Sequence, residues 1–272
     1  MSSFREFVEI HGLRFHCETS GRPGEPWLVF SNSLMTNLTM WDAQERAFRE
    51  SYRILRYDQR GHGETQAPDA SCTIDELADD LEALCEAFQI ARAVMIGVSM
   101  GGVTALRMAQ RHPSRVAGLV ACDCQWFSPA TSTAVWDDRI RTANDGGMSG
   151  LVEPTISRWF RPAFVERRGP GLDDVRRMIE TTPVAGFVSC ARALQSFDVR
   201  VDFARIAAPT CFVVGDGDGV LPTVMRDMHR GLPGSSFVQI AEAGHLPNIE
   251  QPATVNHAIQ AFLIQIGWHP HL

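Results

Sequence analysis

The chain has 272 residues and a formal net charge of -7, and all 25 of its basic side chains are arginine. Without lysine it has no Schiff base, no lysine-dependent phosphate loop and no side-chain amine nucleophile, and its acidic balance argues against a nucleic-acid-binding face. At 44% hydrophobic and 21% charged residues, with no apolar run near the ~20 residues of a membrane span, it reads as an ordinary globular chain.

Residues 4–18 read as a strand pair, with Phe7, Val8 and Ile10 before the turn signal His11-Gly12 and Leu13, Phe15 and Cys17 after it. Trp27 to Phe30 is a short continuous apolar run, the mark of a strand covered on both faces. Trp41 to Phe48 reads as helix, and Tyr52 to Tyr57 as a strand ending in Asp58-Gln59-Arg60-Gly61-His62-Gly63. A further helix begins at the capping box Thr73-Ile74-Asp75-Glu76. Ala93 to Gly97 is a third buried strand, Met100 to His112 a helix stopped by Pro113, and Val116 to Ala121 another strand. This alternation predicts a mostly parallel sheet with helices on both faces.

From about Gln125 to Arg205 the pattern is helical, broken by Gly146-Gly147, Pro162, Gly169-Pro170-Gly171 and Pro183. Strands resume at residues 209–214 and 236–240, and a last helix runs from Pro252 towards Ile266. The expected organisation is an α/β core in two parts, residues 1–124 and 206–272, with a helical lid inserted over 125–205.

The seven cysteines are scattered among apolar neighbours and read as reduced core residues. Cys122-Asp123-Cys124 is the one close pair, and no second pair or nearby histidine completes a zinc site. The start of the sequence lacks the apolar core of a signal peptide, so a cytoplasmic location is expected.

Gly97-Val98-Ser99-Met100-Gly101-Gly102 lies where a strand passes into a helix. The G-x-S-x-G spacing has a mechanical reason. A serine on a sharp strand-to-helix turn holds a strained backbone, and flanking glycines avoid clashes with the neighbouring elements. Ser99 is thus the candidate nucleophile, and its hydroxyl needs a histidine to take its proton. His245, in Ala243-Gly244-His245-Leu246-Pro247, follows the last strand at the sheet edge to which the serine turn belongs. His62 reads as a loop residue, His112 caps a helix end, and His269 and His271 lie in the tail. The third member is a carboxylate in Gly215-Asp216-Gly217-Asp218-Gly219, with Asp218 preferred and Asp216 and Asp123 as alternatives. Ser99, Asp218, His245 is also the chain order that the elbow architecture uses.

With these residues in view, the chain resembles the α/β-hydrolase fold superfamily over nearly its whole length, and within it the 3-oxoadipate enol-lactonases. The matching segments are Phe30-Ser31-Asn32-Ser33-Leu34, Met40-Trp41-Asp42, Leu55 to Gly63, Ser99-Met100-Gly101-Gly102, Gly244-His245 and Asn248-Ile249-Glu250. The resemblance implies a serine esterase or lactonase acting on a small-molecule ester or lactone in aromatic catabolism, with no metal or organic cofactor. It implies an oxyanion hole from the N–H groups of Leu34 and Met100, and a lid that offers Trp136 and Trp159 to the pocket. The chain departs from the family at Met35 and Asn37, where glycine and aspartate are usual, and at Asp123, where an uncharged residue is expected. Met35 adds bulk beside the acyl pocket. A serine at position 99 excludes the aspartate-dependent dehalogenases and epoxide hydrolases, and the missing lysine excludes the lysine-dependent hydroxynitrile lyases. A carbon–carbon bond hydrolase of a vinylogous diketone and a non-catalytic binding protein on this fold remain as alternatives. If the substrate carries a carboxylate, its cation must be arginine or a protonated histidine, and Arg139, Arg158 and Arg161 are the lid candidates.

Overall fold

The computed structural model describes residues 3–270. Met1, Ser2, His271 and Leu272 lie outside the described residues, and with them the very start of the N-terminal stretch and one tail histidine. The chain opens with β1 (Phe4–Ile10) and β2 (Leu13–Gly21), an antiparallel hairpin. Its two-residue turn places His11 at φ 50° and Gly12 at φ 78°, the paired positive angles that match strand twist in a tight hairpin. There follow β3 (Trp27–Ser31), α1 (Asp42–Phe48), β4 (Arg53–Tyr57), α2 (Ile74–Ala87), β5 (Ala93–Val98), α3 (Met100–Arg111) and β6 (Val116–Cys122). Thr73 and Glu76 cap α2 reciprocally, the Glu76 N–H donating to Thr73 Oγ1 at 3.2 Å and the Thr73 N–H to Glu76 Oε2 at 2.8 Å.

Five helices come next: α4 (Thr133–Gly146), α5 (Ser149–Trp159), α6 (Pro162–Glu166), α7 (Leu172–Thr181) and α8 (Val184–Ser196). The core resumes with β7 (Thr210–Gly215), α9 (Leu221–Gly231), β8 (Ser236–Ile240), α10 (Pro247–Glu250) and α11 (Pro252–Gln265). Helix α9 is an addition to the sequence-based expectation. Leu221, Val224, Met225 and Met228 form its inward stripe at i, i+3, i+4 and i+7, both methionines buried and the other two half-buried against the core, and a parallel β7–β8 pair demands such a crossover element.

Among the described residues the strands form one sheet in the order β1-β2-β4-β3-β5-β6-β7-β8. The β1–β2 and β2–β4 pairs are antiparallel and every pair from β4 to β8 is parallel. Every residue of β5, β6 and β7 is buried, because helices cover both faces and leave no side for a polar residue. Helix α3 packs across β3, β5 and β6, and α11 lies over β7 and β8. The parallel arrangement brings the carboxyl ends of β3, β5, β6, β7 and β8 to one edge, and the helices between β6 and β7 rise above it. No helix among the described residues is long and apolar enough to cross a membrane.

Candidate active site

Ser99 follows β5 directly and holds φ 56° and ψ -116°, a conformation that costs a non-glycine residue of order 1–3 kcal/mol. Its N–H donates to Cys122 O at 2.9 Å, which ties the turn to the end of β6. The two flanking glycines have a steric reason. A Cβ on Gly97 would sit 2.2 Å from Gly101 O, and one on Gly101 would sit 2.1 Å from Ser31 O. Only hydrogen fits at either place, so strand and helix close into the sharp turn that lifts Ser99. Met100 opens α3, so its N–H is one of those a helix cannot satisfy internally.

His245 lies after β8 and is 7% exposed. Its Nδ1 is 2.7 Å from Asp218 Oδ2, in the loop after β7. The imidazole is held from the inserted helices as well: its backbone N–H donates to Trp159 O at 2.7 Å, and the Trp159 ring stacks on it at 5.6 Å between centroids. Burial works against the Asp218 carboxylate, but attraction to His245 and their hydrogen bond outweigh it, so its pKa falls below the usual carboxylate range.

The two alternative acids have other partners. Asp216 is exposed, pairs with Arg161 at 3.2 Å and accepts from the Ala243 N–H. Asp123 is fully buried, and its Oδ1 accepts the Gly215 N–H at 2.9 Å. Among the described residues it is Asp218 that bonds the His245 ring.

Ser99, Asp218 and His245 line one cavity of about 320 Å³, together with Leu34, Asp123, Trp136 and Trp159. The Ser99 hydroxyl makes no side-chain hydrogen bond among the described residues and opens into this space. Arg139 and Arg158 also line it, and neither forms an ion pair among the described residues. The Arg139 guanidinium lies over the Trp136 ring at 4.9 Å and donates to Met35 Sδ at 3.8 Å. Desolvation, and then the charge of Arg158, pull the Arg139 pKa down; desolvation does the same to Arg158, opposed by Asp218. Arg161, the third lid candidate, is spent on Asp216.

Met35, expected against the acyl pocket, is not among the cavity-lining residues. It is fully buried at φ 61° and acts on the cavity only through Arg139. Asn37 keeps the capping role an aspartate would have, its Oδ1 accepting from the Thr39 N–H at 3.0 Å.

Several positioning residues carry no sequence signal as such. Asn32 accepts the Gln59 N–H at 3.1 Å and donates to Thr36 O at 2.7 Å, which shapes the turn holding Leu34. Buried Glu250 accepts the Gly244 N–H and, at 2.9 Å, the Arg161 N–H, pinning the histidine loop to the start of α6. Both belong to segments quoted above for family likeness, but their partners are distant in sequence.

Among the described residues no group of His, Cys, Asp and Glu could hold a metal ion, and all seven cysteines are buried and free. A larger groove of about 610 Å³ runs between α1, α7 and α10, lined by Arg46, Asp174, Arg177 and Ile249. It mixes both signs of charge and contains no nucleophile with a base beside it.

A family profile for the alpha/beta hydrolase fold matches residues 26–252. A 3-oxoadipate enol-lactonase from Acinetobacter baylyi is 30% identical over 96% of this chain and 97% of its own length. Among solved structures, the enol-lactonase from Burkholderia xenovorans LB400 is 32% identical with a TM-score of 0.91, covering 95% of this chain and 100% of that one. A thermophilic esterase from Thermogutta terrifontis, solved with malate bound, is 28% identical with a TM-score of 0.89, covering 97% and 99%.

Proposed function

Because this chain belongs to the alpha/beta hydrolase fold family, we propose that it hydrolyses a carboxylic ester or lactone through an acyl-enzyme on Ser99. The observation that carries the reading is the strained Ser99 turn sharing one cavity with the 2.7 Å His245–Asp218 pair. His245 takes the hydroxyl proton as Ser99 Oγ adds to the carbonyl carbon. The Leu34 and Met100 N–H groups receive the developing oxyanion, and such a donor is worth about 3 kcal/mol where it has been measured. Collapse of the tetrahedral adduct breaks the ester C–O bond, and His245 returns the proton to the departing alkoxide or enolate. Water, deprotonated by His245, then releases the acid and frees Ser99. Asp218 holds the imidazole tautomer and stabilises its cation.

The cavity arginines narrow the substrate to one that carries a carboxylate. Two guanidinium groups that form no ion pair among the described residues, in a partly desolvated cavity, are matched by an anion on the ligand. The enol-lactonase likeness and the malate bound to the esterase neighbour agree with an anionic ester or lactone, with 3-oxoadipate enol-lactone as the first compound to try.

Ser99→Ala decides the mechanism. The variant should stay folded by circular dichroism and lose p-nitrophenyl acetate turnover by about 10³-fold or more, the scale on which nucleophile loss acts in such triads. Retained turnover overturns the reading.

A further inference from the structure

We infer that Asp123 is a positioning residue for the proposed triad: its carboxyl group keeps a proton and donates it to Asp218, fixing the carboxylate that orients His245. The inference rests on the triad reading above.

Asp123 follows β6 at φ 43°, a left-handed conformation that a non-glycine residue adopts only when its surroundings impose it. Its N–H donates to Val213 O at 2.9 Å and its Oδ1 takes the Gly215 N–H at 2.9 Å, so both ends of the residue are clamped to β7. Its Oδ2 is fully buried and receives no donor among the described residues. Asp123 and Asp218 line the same cavity, and each carboxyl group acts on the proton affinity of the other. Two ionised carboxylates so placed repel, whereas one shared proton turns the contact into a strong bond. An orphan buried oxygen beside a carboxylate is therefore accounted for by a proton between them.

The neighbours decide which residue keeps the proton. Asp218 faces the His245 ring and the positive field of Arg158 on α5, and both favour its ionised form. Asp123 faces Asp218, the Glu250 carboxyl on α10, and the thiols of Cys122 and Cys124 beside it. Arg139, Arg158 and His245 line the same cavity, but among the described residues none of them forms an ion pair with Asp123. Burial, and then the Asp218 charge, push its pKa well above the carboxylate range, while Asp218 sits below that range. Asp218 is thus held from two sides, by His245 and by Asp123.

Two measurements test this. The infrared spectrum of the wild type at neutral pH should contain the carbonyl stretch of a protonated, buried carboxylic acid, and that band should vanish in Asp123→Asn. This readout does not depend on turnover, and Ser99→Ala tests the triad separately, so the two readings fail independently. In kinetics, Asp123→Leu removes the donor and should lower kcat/KM by about tenfold, the cost of one hydrogen bond to a charged group. Without the donor, more negative charge rests on the Asp218 oxygen that meets the imidazole. The acid limb of kcat/KM should therefore move to higher pH, by about half a unit to one unit. Asp123→Asn keeps an N–H donor for Asp218 and should restore most of the rate and the original limb. A wild type without the band overturns the proposal, as does an Asn variant as impaired as the Leu variant. Should Asp123→Leu fail to fold, the band and the Asn variant decide.

Discussion

Two buried arginines at the sheet and the two arginines of the inserted helices that line the cavity meet their surroundings in opposite ways. Arg60, 6% exposed, grips Asp80 through Nε at 2.6 Å and Nη2 at 2.7 Å. Arg56, 5% exposed, spans Glu18 at 2.7 Å and Asp42 at 2.5 Å. Arg139 and Arg158 line the cavity above the sheet edge and form no ion pair among the described residues: Arg139 lies against the Met35 sulfur and two aromatic rings, and Arg158 feels the Asp218 charge only at longer range. A cation drawn partly out of water without an ion-pair partner carries a standing cost. The sheet cancels that cost within the protein, and the cavity leaves it for a ligand to cancel. On the proposed function, the contrast separates charges that hold the fold from charges that would meet an anionic substrate.

The largest effect that could break this contrast is on stability. Asp80→Asn strips buried Arg60 of its bidentate partner, leaving it only the longer 3.7 Å contact with Glu76, and should cost about 3 kcal/mol in urea unfolding. Arg158→Met breaks no ion pair, removing only a longer-range attraction to Asp218 from an exposed position, and should change stability little. Equal destabilisation by the two substitutions would show that Arg158 is structural after all.

The next effect is on recognition. For an ester that carries a carboxylate, Arg139→Met and Arg158→Met should each raise KM by about 10- to 100-fold, the worth of a charge-assisted hydrogen bond. Turnover of a neutral acetate ester should change little in either variant. Parallel losses on both substrates would mean that the arginines shape the cavity rather than read charge.

What the sequence discloses depends on how local the cause is. The Ser99 turn is legible because its requirements, a strand, two glycines and a helix start, fall within six consecutive residues. β5 and β6 are legible because burial on both faces makes their text continuously apolar. The choice among Asp218, Asp216 and Asp123 is not local: it turns on Arg161 reaching Asp216, and on Asp123 being clamped by β7. Glu250 and Asn32 escape notice as positioning residues because each bonds backbone groups brought close only by the fold. Met35 is set by a backbone angle as well as by its place in the sequence. Its nearness in sequence to Leu34 suggests a pocket wall, but its positive φ turns the residue into the core, where only its contact with Arg139 links it to the cavity. Helix α9 is local in the same sense as the Ser99 turn, because Leu221, Val224, Met225 and Met228 fall at i, i+3, i+4 and i+7 on its inward face.

The smallest expected effect is also the sharpest separation of ligand charge from protein charge. If the cavity arginines await an anion, a short dicarboxylate such as succinate should bind without reaction and stabilise the folded state by mass action. At ten times its Kd the gain is about 1.4 kcal/mol, which for a chain of this size raises Tm by about 2–4 °C. Sodium chloride at equal ionic strength supplies the baseline, because surface pairs such as Arg192–Asp137, with side chains 43% and 50% exposed, respond to salt in general. The shift above that baseline should disappear when Arg139→Met and Arg158→Met are combined, since no cation then remains to offset the cost of desolvating the carboxylate. It should persist in Ser99→Ala, whose arginines are intact. A shift of the same size in the double variant would place the anion elsewhere, and the cavity would then share with the sheet edge a set of charges settled entirely within the protein.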